Sequence, residues 1–401
     1  MNVKKIISAL KLLIICILTG AVCGVIGAMF SKGVSFVTDI RNGNPWLLYL
    51  LSIAGIASVG IYKLLKVGNM GTNQVIKSAE STNVLSPALA PAVFLGSLLS
   101  HLCGASVGRE GAALQLGGSS AVFLSRGLKL AEPQEKILIY CGMAGVFSSV
   151  FGTPFAAAVF ALEVVFVGHI YYKALLPVFI SSFTSYYTAA LLGAHAERFT
   201  LSGVPTLSAT LLCRVLILSL LAVVVGVAFC HSLEYSEKLF KKLFKNEFLR
   251  IAVGGAAVVL LTFAVGNYDY NGAGVHIIEK IFESGEFFIL AFAFKILFTC
   301  ISVGAGFKGG EIVPTLFIGV TFGALAGSLL GLPVAFSAAL CMPTLFCAVT
   351  NCPLASILLA AELFSGQGIG YVTVAVIISY LLSGKISLYA AQKADGFKAL
   401  F

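Results

Sequence analysis

The sequence predicts an all-α polytopic membrane protein built from short, tilted and broken helices. Hydrophobic residues make up 59% of the 401 positions and charged residues only 11%, with a mean hydropathy of +1.00. A soluble domain carries about 25% charged residues, so too few are present here to cover a globule in water. The alternating segments of about ten residues that a membrane β-barrel needs are absent. These observations exclude a soluble globular protein, a disordered chain and a nucleic-acid-binding protein.

The apolar segments differ in length, and many are too short to cross a bilayer, which takes roughly 20 helical residues. The first run, near 6–30, is long enough to span. Val22 is a poor residue for signal-peptide cleavage, so we expect this helix to be retained. Short segments interrupted by glycine and proline are typical of transporters with broken helices. The remaining apolar segments lie near 46–64, 87–103, 112–126, 137–150, 154–168, 174–194, 210–230, 251–266, 286–304, 314–331, 335–349, 353–365 and 370–384.

Basic residues flank the apolar segments and predict the orientation of the chain, because they mark the cytosolic side of a membrane protein. They cluster near both termini and near the midpoint, so we expect all three regions to be cytosolic. We accordingly expect a first membrane repeat over 1–230, a basic cytosolic connector over 231–250, a second membrane repeat over 251–401, and no cytosolic regulatory domain. The connector also carries an apolar helical stripe, so a partner-binding helix is the alternative interpretation.

Two pairs of motifs indicate an internal repeat. GRE at 108–110 and GGE at 309–311 are offset by 201 residues, and each first glycine is followed by another glycine ten positions later. Downstream, FGTPFAAAVFALE (151–163) matches TNCPLASILLAAE (350–362), with a glutamate nine positions after the proline in both. Two matches in the same order, about half the chain apart, predict a repeat. The pattern alone leaves open whether the repeats are parallel or inverted.

Cysteine and histidine spacing gives no indication of metal, disulfide or enzyme chemistry. None of the ten cysteines is in a Cys-x-x-Cys pair, and most lie in apolar runs, where cysteine behaves as a small hydrophobe. The five histidines make no metal-spaced pair, and HIIEK (276–280) lacks the second histidine of a zinc motif. The apolar segments contain no Ser–His or Asp–Asp constellation. We therefore expect no metal, no cofactor and no enzymatic activity.

Three glycine-rich stretches interrupt the apolar pattern, and each leads into a new apolar helix. They are VGNMGTNQ (67–74), ASVGREGAALQLGG (105–118) and GAGFKGGEIVPTLFIG (304–319). Glycine lets backbone N–H groups turn towards a common point, and the amino end of a helix carries about half a positive charge. Irregular backbone at membrane depth is tolerated only where it lines a cavity or is covered by protein. Three such ends in one chain predict an anion site near the middle of the bilayer.

Glu110 carries the strongest functional indication of any single residue. A carboxylate at membrane depth is costly and is usually functional, and Glu110 has the sign to compete with an anion for the same backbone amides. Protonation would neutralise it and vacate the site, which couples proton movement to anion movement. The structural alternative is an ion pair with Arg109, which we do not expect, because adjacent residues on a helix point apart.

GREGAALQLGG, together with FGTPFAAAVFALE, GGEIVP and TNCPLASILLAAELF, resembles the CLC family of anion channels and transporters. The motifs occur in the family's order and cover nearly the whole chain, and GREG followed by Gln115 and Gly117 is the most specific of them. The resemblance implies a homodimer of inverted-repeat subunits, each with its own anion pathway. It also implies a location in the lipid bilayer of a bacterial inner or plasma membrane.

The resemblance assigns roles position by position. Glu110 matches the gating glutamate, and Tyr389, in GKISLYAAQ, matches the tyrosine whose hydroxyl closes the inner side of the central anion site. The backbone amides around Glu311 and Ile312 match the helix end of the second half that faces the anion. The full set of expected anion-binding residues is Met70, Gly71, Gly108, Arg109, Gly111, Glu311, Ile312 and Tyr389.

At several positions this sequence differs from the usual family pattern, and these differences resemble one branch of the family. Met70 stands where many chloride-selective members carry a serine, and Val164 where many chloride/proton antiporters carry a proton-relay glutamate. With GGE in the third motif, these departures resemble the fluoride-exporting branch of bacterial CLC antiporters. Glu311 would then be a second, weaker candidate for the proton path. That branch usually carries a threonine where this chain has Val313, and here Thr315 follows the proline instead.

The function that the resemblance implies is a proton-coupled antiporter that exports fluoride in exchange for protons. Clustered amides supply the close donors that a small, strongly hydrated anion needs, and the same amides could hold chloride. A chloride/proton antiporter and an uncoupled CLC anion channel are the alternatives, the channel because some family channels also lack the relay glutamate.

Three further charged residues in apolar segments have structural interpretations. We expect Glu163 and Glu362, which end the matched segments, to reach the cytosolic interface or cap neighbouring helices rather than relay protons. Lys295 lies inside FILAFAFKILFTC, where its position resembles a family lysine of structural role. We expect its ammonium group to be paired or to reach the membrane interface.

Overall fold

The computed structural model describes residues 3–68, 70–81, 85–194, 196–201, 203–394 and 398, with side chains from residue 10 onward. Helices make up most of this part of the chain, which confirms the predicted all-α fold class. The helices of the first half are α1 (Val3–Gly43), α2 (Leu51–Leu64, after a 3₁₀ turn over Pro45–Leu50), α3 (Thr72–Glu80), α4 (Leu89–Leu102), α5 (Glu110–Gly127), α6 (Glu132–Phe151), α7 (Pro154–Glu163) and α8 (Tyr172–Leu191).

The second half is likewise helical, and two short strands join its end to the first half. Its helices are α9 (Ala209–Leu243), α10 (Glu247–Val265), α11 (Val275–Ser284), α12 (Ala291–Ala305), α13 (Ile312–Leu329), α14 (Val334–Thr350), α15 (Pro353–Leu363) and α16 (Ile369–Leu382). The strands β1 (Phe166–Val167) and β2 (Lys393–Ala394) pair in parallel.

Helix length divides the elements into two groups. Within the described residues, six helical segments are long and apolar enough to cross a membrane. In contrast, α3, α7, α11 and α15 have 9, 10, 10 and 11 residues, well below the roughly 20 that a crossing requires. The predicted mixture of spanning and short helices is therefore present.

The matched FGTP and TNCP motifs form the same local structure. Gly152 (φ +73°) and Asn351 (φ +56°) adopt the left-handed conformation that ends α6 and α14. Pro154 and Pro353 then occupy the first positions of α7 and α15. Glycine and asparagine tolerate left-handed backbone after a helix, and proline fits the first helical turn. Each motif therefore ends one helix and begins the next almost at once.

The short helices α7 and α15 cap each other. The carboxylate of Glu163, at the end of α7, accepts hydrogen bonds from the N–H groups of Leu354 and Ala355 at 3.1 and 2.8 Å. Glu362 accepts from the first N–H groups of α7 in the same way, also at 3.1 and 2.8 Å. The expected capping of neighbouring helices is confirmed for both glutamates. Because each half of the chain contributes one glutamate and one capped helix, the two halves make equivalent contacts here.

We expect removal of one of these caps to lower the stability of the protein. Glu362→Ala leaves the N–H groups of Phe155 and Ala156 without their acceptor, which costs about 1–2 kcal/mol of unfolding free energy. Thermal unfolding of the detergent-solubilised protein measures the effect. Glu362→Gln is the control, because its amide oxygen still accepts a hydrogen bond. Equal melting temperatures for the alanine variant and the unmodified protein would contradict the capping role.

The predicted connector over 231–250 is mostly the polar end of α9, which continues to Leu243. Two exposed ion pairs spaced four residues apart stabilise this extension, one of them joining Lys238 Nζ to Glu234 Oε1 at 2.6 Å. A short link then leads into α10. The boundary predicted after residue 230 therefore does not coincide with a helix end.

Candidate functional site

The amino ends of α5 and α13 lie side by side. Gly108 and Gly310 form an antiparallel bridge, in which each N–H donates to the carbonyl of the other at 2.7 and 2.6 Å. The contact leaves no room for a side chain, since a Cβ at Gly111 would lie 2.7 Å from Gly310 Cα. Glu110 is the first residue of α5, and Glu311 directly precedes α13. Two of the three predicted helix ends therefore meet, each with a carboxylate.

The third predicted helix end, that of α3, packs against α5. Gln115 Nε2 on α5 donates to Thr72 Oγ1, the first residue of α3, at 3.1 Å. Gly71 N–H donates to the side chain of Gln74 at 2.9 Å, which caps the helix locally. Met70 precedes this cap, is half-buried and packs against the apolar core. The α3 end is thus attached to the helix that begins with Glu110.

Tyr389 lies after α16 on a segment held by α3. The N–H of Ala391 donates to Asn73 Oδ1 at 2.9 Å. Tyr389 is 2% exposed, and its hydroxyl group has no hydrogen-bond partner among the described residues. An unpaired buried hydroxyl costs about 1–3 kcal/mol, so such a group in a native protein calls for a ligand or water. The tyrosine also borders a cavity of about 110 Å³ beside Asn351 and Gln392.

The Glu110 carboxylate is fully buried and folds back over the loop that precedes α5. Oε2 accepts from the backbone N–H of Arg109 at 3.0 Å, and Oε1 accepts from Arg109 Nε at 3.2 Å. The expectation that these neighbours point apart and do not pair is therefore wrong. Arg109 precedes the helix, so the spacing rule for helical neighbours does not apply to it. Gly108 leaves the space, because a Cβ there would lie 2.9 Å from Glu110 Oε2.

Glu197 is a charged neighbour of the site that sequence reasoning missed. Arg109 Nη2 donates to Glu197 Oε1 at 2.5 Å, and Arg109 Nη1 donates to Ser31 Oγ at 3.1 Å. Glu197 lies in the segment between α8 and α9, which has no periodic pattern, and a charge in such a segment is ordinarily solvated. No motif links it to position 109, which is 88 residues away.

Glu311 and the residues after it differ from the expected ion-site pattern. A Cβ at Gly111 would lie 3.2 Å from Glu311 Oε2, so this carboxylate lies beside the first turn of α5. Val313 is buried, and its Cβ would lie 3.0 Å from a Cβ at Gly108. Thr315 Oγ1 donates to the carbonyl of Glu311 at 2.8 Å, one turn earlier in its own helix. The hydroxyl of Thr315 therefore donates within its own helix.

Lys295 has the paired role that we expected. Its side chain is fully buried, and Nζ donates to the carbonyls of Gly272 and Tyr270 at 2.7 and 3.3 Å. The ammonium group also lies 5.1 Å from the centre of the Phe317 ring, within cation–π distance. Lys295 thus fastens the segment before α11 to α12 and α13.

In this polytopic membrane protein, two helix ends adjoin and a buried carboxylate lies at their junction. These features are typical of ion transport proteins. Residues 54–384 match the family described as "Voltage gated chloride channel". The chain belongs to this family, the CLC anion channels and transporters, and is an integral membrane protein. The resemblance found in the motifs is confirmed.

Individual relatives are similar over most of the chain. A "Chloride/fluoride channel protein" of Pseudomonas syringae pv. tomato is 31% identical over 95% of this chain and 86% of its own length. An "H(+)/Cl(-) exchange transporter ClcA" of Vibrio cholerae is 24% identical over 79% of this chain and 72% of its own. Among solved structures, a CLC-type fluoride/proton antiporter superimposes with a TM-score of 0.93 at 30% identity, covering 98% of this chain and 100% of that one.

Proposed function

We propose that this protein is a proton-coupled antiporter that exports fluoride in exchange for protons. The observation that carries the proposal is Glu110, a buried carboxylate at the junction of the amino ends of α5 and α13. The positive ends of two helices attract a carboxylate and a halide ion alike. Similarity to a fluoride/proton antiporter over almost all of both chains supports fluoride as the anion.

Competition between Glu110 and the anion produces the exchange. The ionised carboxylate accepts hydrogen bonds from Arg109 and occupies the junction. Protonation removes the charge that Arg109 and the helix ends attract, so the carboxyl group leaves and an anion takes its place. Loss of the proton on the other side returns the carboxylate and expels the anion. One side chain thus carries the proton and alternates with the anion.

The donors at the site favour a small anion. Met70 has no hydroxyl group, and the N–H of Gly71 is engaged by Gln74. The proposed donors are therefore the backbone amides of Gly111 and Ile312 and the hydroxyl of Tyr389, which has no partner among the described residues. Charge-assisted N–H and O–H hydrogen bonds are short, and several together offset the dehydration of a compact ion such as fluoride.

Glu311 is proposed as the second carboxylate of the proton path. It lies beside the first turn of α5, next to the position of Glu110. Val164 is buried and apolar and has no proton to transfer, so a relay at that position is excluded. Glu311, at the amino end of α13, is the carboxylate of the site that could transfer the proton instead.

We further propose that the protein functions as a homodimer in a bacterial inner or plasma membrane, with both termini cytosolic. The proposed repeats are 1–230 and 251–401, joined by the basic segment 231–250. The reciprocal capping of α7 and α15 supports two related halves. The basic residues around the end of α9 support a cytosolic midpoint.

Flux measurements on purified protein in liposomes test the proposal. A fluoride gradient should drive protons uphill. An equal chloride gradient should drive them at least about tenfold more slowly, because the close donors of the site offset the dehydration of the smaller ion best. Equal coupling to chloride would indicate a chloride/proton antiporter. Anion flux without uphill proton movement would indicate a channel. The absence of any anion flux would contradict an anion site at Glu110 altogether.

A further inference from the structure

A single guanidinium group at the site serves two carboxylates. Arg109 Nε donates to Glu110 Oε1 at 3.2 Å, while Nη2 donates to Glu197 Oε1 at 2.5 Å. The third nitrogen, Nη1, donates to Ser31 Oγ at 3.1 Å. All three nitrogens of this largely buried side chain are thus engaged. Among the described residues, Arg109 is the one cation that pairs with the proposed gating carboxylate, and Glu110 shares it with Glu197.

Glu197 lines open cavities that Glu110 does not line. Cavities of about 680 and 600 Å³ are both lined by Glu197, Arg109, Asp39 and Glu279, and Glu110 lines neither. The side chain of Glu197 is 23% exposed, whereas that of Glu110 is 1% exposed. Glu197 is therefore a carboxylate that bonds to Arg109 and also lines the cavities.

These cavities lie on the face away from the predicted cytosolic connector. The 35 residues of α9 are long enough to cross the bilayer, and their polar end belongs to that connector. Glu197 lies in the segment that leads into the opposite end of α9. With the proposed cytosolic midpoint, the cavities form a vestibule on the non-cytosolic side.

We propose that Glu197 is a positioning residue for transport, which divides the charge of Arg109 between itself and Glu110 and so sets the pH at which the gate is released. The inference rests on the proposed function of Glu110. The negative charge of an ionised Glu197 offsets part of the positive charge of Arg109 and also repels the Glu110 carboxylate. Both effects favour protonation of Glu110 and its departure from the junction. A neutral residue at 197 leaves the whole charge of Arg109 to Glu110, which then stays ionised and seated to lower pH.

Other charged groups surround Glu197 and are included in the design of the test. The titratable and charged groups lining the vestibule, besides Arg109 itself, are Lys32, Asp39 and Arg41 on α1, His101 on α4, Arg198 on its own segment, Tyr268 and Asp269 before α11, and His276 and Glu279 on α11. Burial and the negative charge of Glu197 raise the pKa of Glu279 above its ordinary value. Glu279 thus senses the charge of Glu197 without bonding to Arg109, which makes Glu279→Gln the matched control.

The test is the pH dependence of fluoride flux from liposomes holding equal pH on both sides. For Glu197→Gln we expect the pH of half-maximal flux to fall by about one unit, because a like charge and a share of a cation are both lost. Glu279→Gln should shift it by less than a third of that. Glu197→Asp keeps the charge at greater distance from Arg109, so it should give a smaller shift in the same direction.

The outcomes separate this inference from the function on which it rests. If the unmodified protein couples fluoride to protons and Glu197→Gln keeps its pH profile, the positioning role is wrong and the proposed function stands. An equal shift in Glu279→Gln would show a general effect of vestibular charge and would also overturn the inference. If Glu197→Gln does not fold, the Asp variant decides, since an unchanged midpoint there contradicts the proposal. Absence of coupled flux in the unmodified protein overturns both.

Discussion

Replacing Glu110 with glutamine is expected to abolish proton coupling, the largest single effect that the structure predicts. Glutamine has nearly the same shape, but it cannot take up and release a proton at the α5–α13 junction. Positioned proton transfer by one side chain is worth about 100-fold or more in rate. Uphill proton movement driven by a fluoride gradient should therefore fall to the level of protein-free liposomes. A pH-sensitive dye and a fluoride electrode, read in the same vesicles, measure the two fluxes separately.

The matched control for this experiment is Glu362→Gln. It is the same chemical change in a glutamate of the short apolar helix α15, whose carboxylate caps α7. We expect this variant to retain coupling, because its amide oxygen still accepts a hydrogen bond and it takes no part in proton transfer. Persistent uphill proton movement in Glu110→Gln would show that another group carries the proton, and the assigned role of Glu110 would then be wrong.

The sequence alone predicted the features of this protein that depend on local pattern. Hydrophobic composition predicted the membrane class, and the GRE and GGE motifs predicted two helix ends. The capping roles of Glu163 and Glu362 were predictable because each ends a matched segment, close to a partner helix that begins with proline. In each case the prediction rests on composition or on motifs that repeat along the chain, and needs no knowledge of packing.

What escaped sequence analysis depends on contacts that no short segment encodes. Whether Arg109 pairs with Glu110 is decided by the residue at which α5 begins, and helix boundaries are the least predictable part of a sequence pattern. Glu197 reaches Arg109 from an irregular segment, and only the packing of α1 against α5 and α8 brings the groups together. The polar extension of α9 was missed because its charges resemble an interfacial segment, whereas ion pairs such as Glu234–Lys238 keep it helical.

The second large effect is expected from Gly310→Ala, which alters the junction without removing any charged or polar side chain. A Cβ at this position would lie 3.4 Å from the carbonyl carbon of Glu110 and only 2.7 Å from Gly111 Cα, which is closer than real Cβ atoms approach. Backbone cannot yield as a flexible side chain does, so the ends of α5 and α13 must separate. A displacement of about 1 Å at a site of this kind can cost about 100-fold in rate.

Anion flux in Gly310→Ala should therefore fall by about 100-fold, and overpacking should destabilise the protein by about 1–3 kcal/mol. Gly60→Ala is the control, because a Cβ in the middle of α2 meets nothing within 4 Å and alanine favours a helix. Thermal unfolding separates the two consequences. A variant that unfolds near the temperature of the unmodified protein but transports little shows that the junction itself was opened. Normal flux in Gly310→Ala would mean that anions do not depend on the close approach of these two helix ends, and the site would have to lie elsewhere.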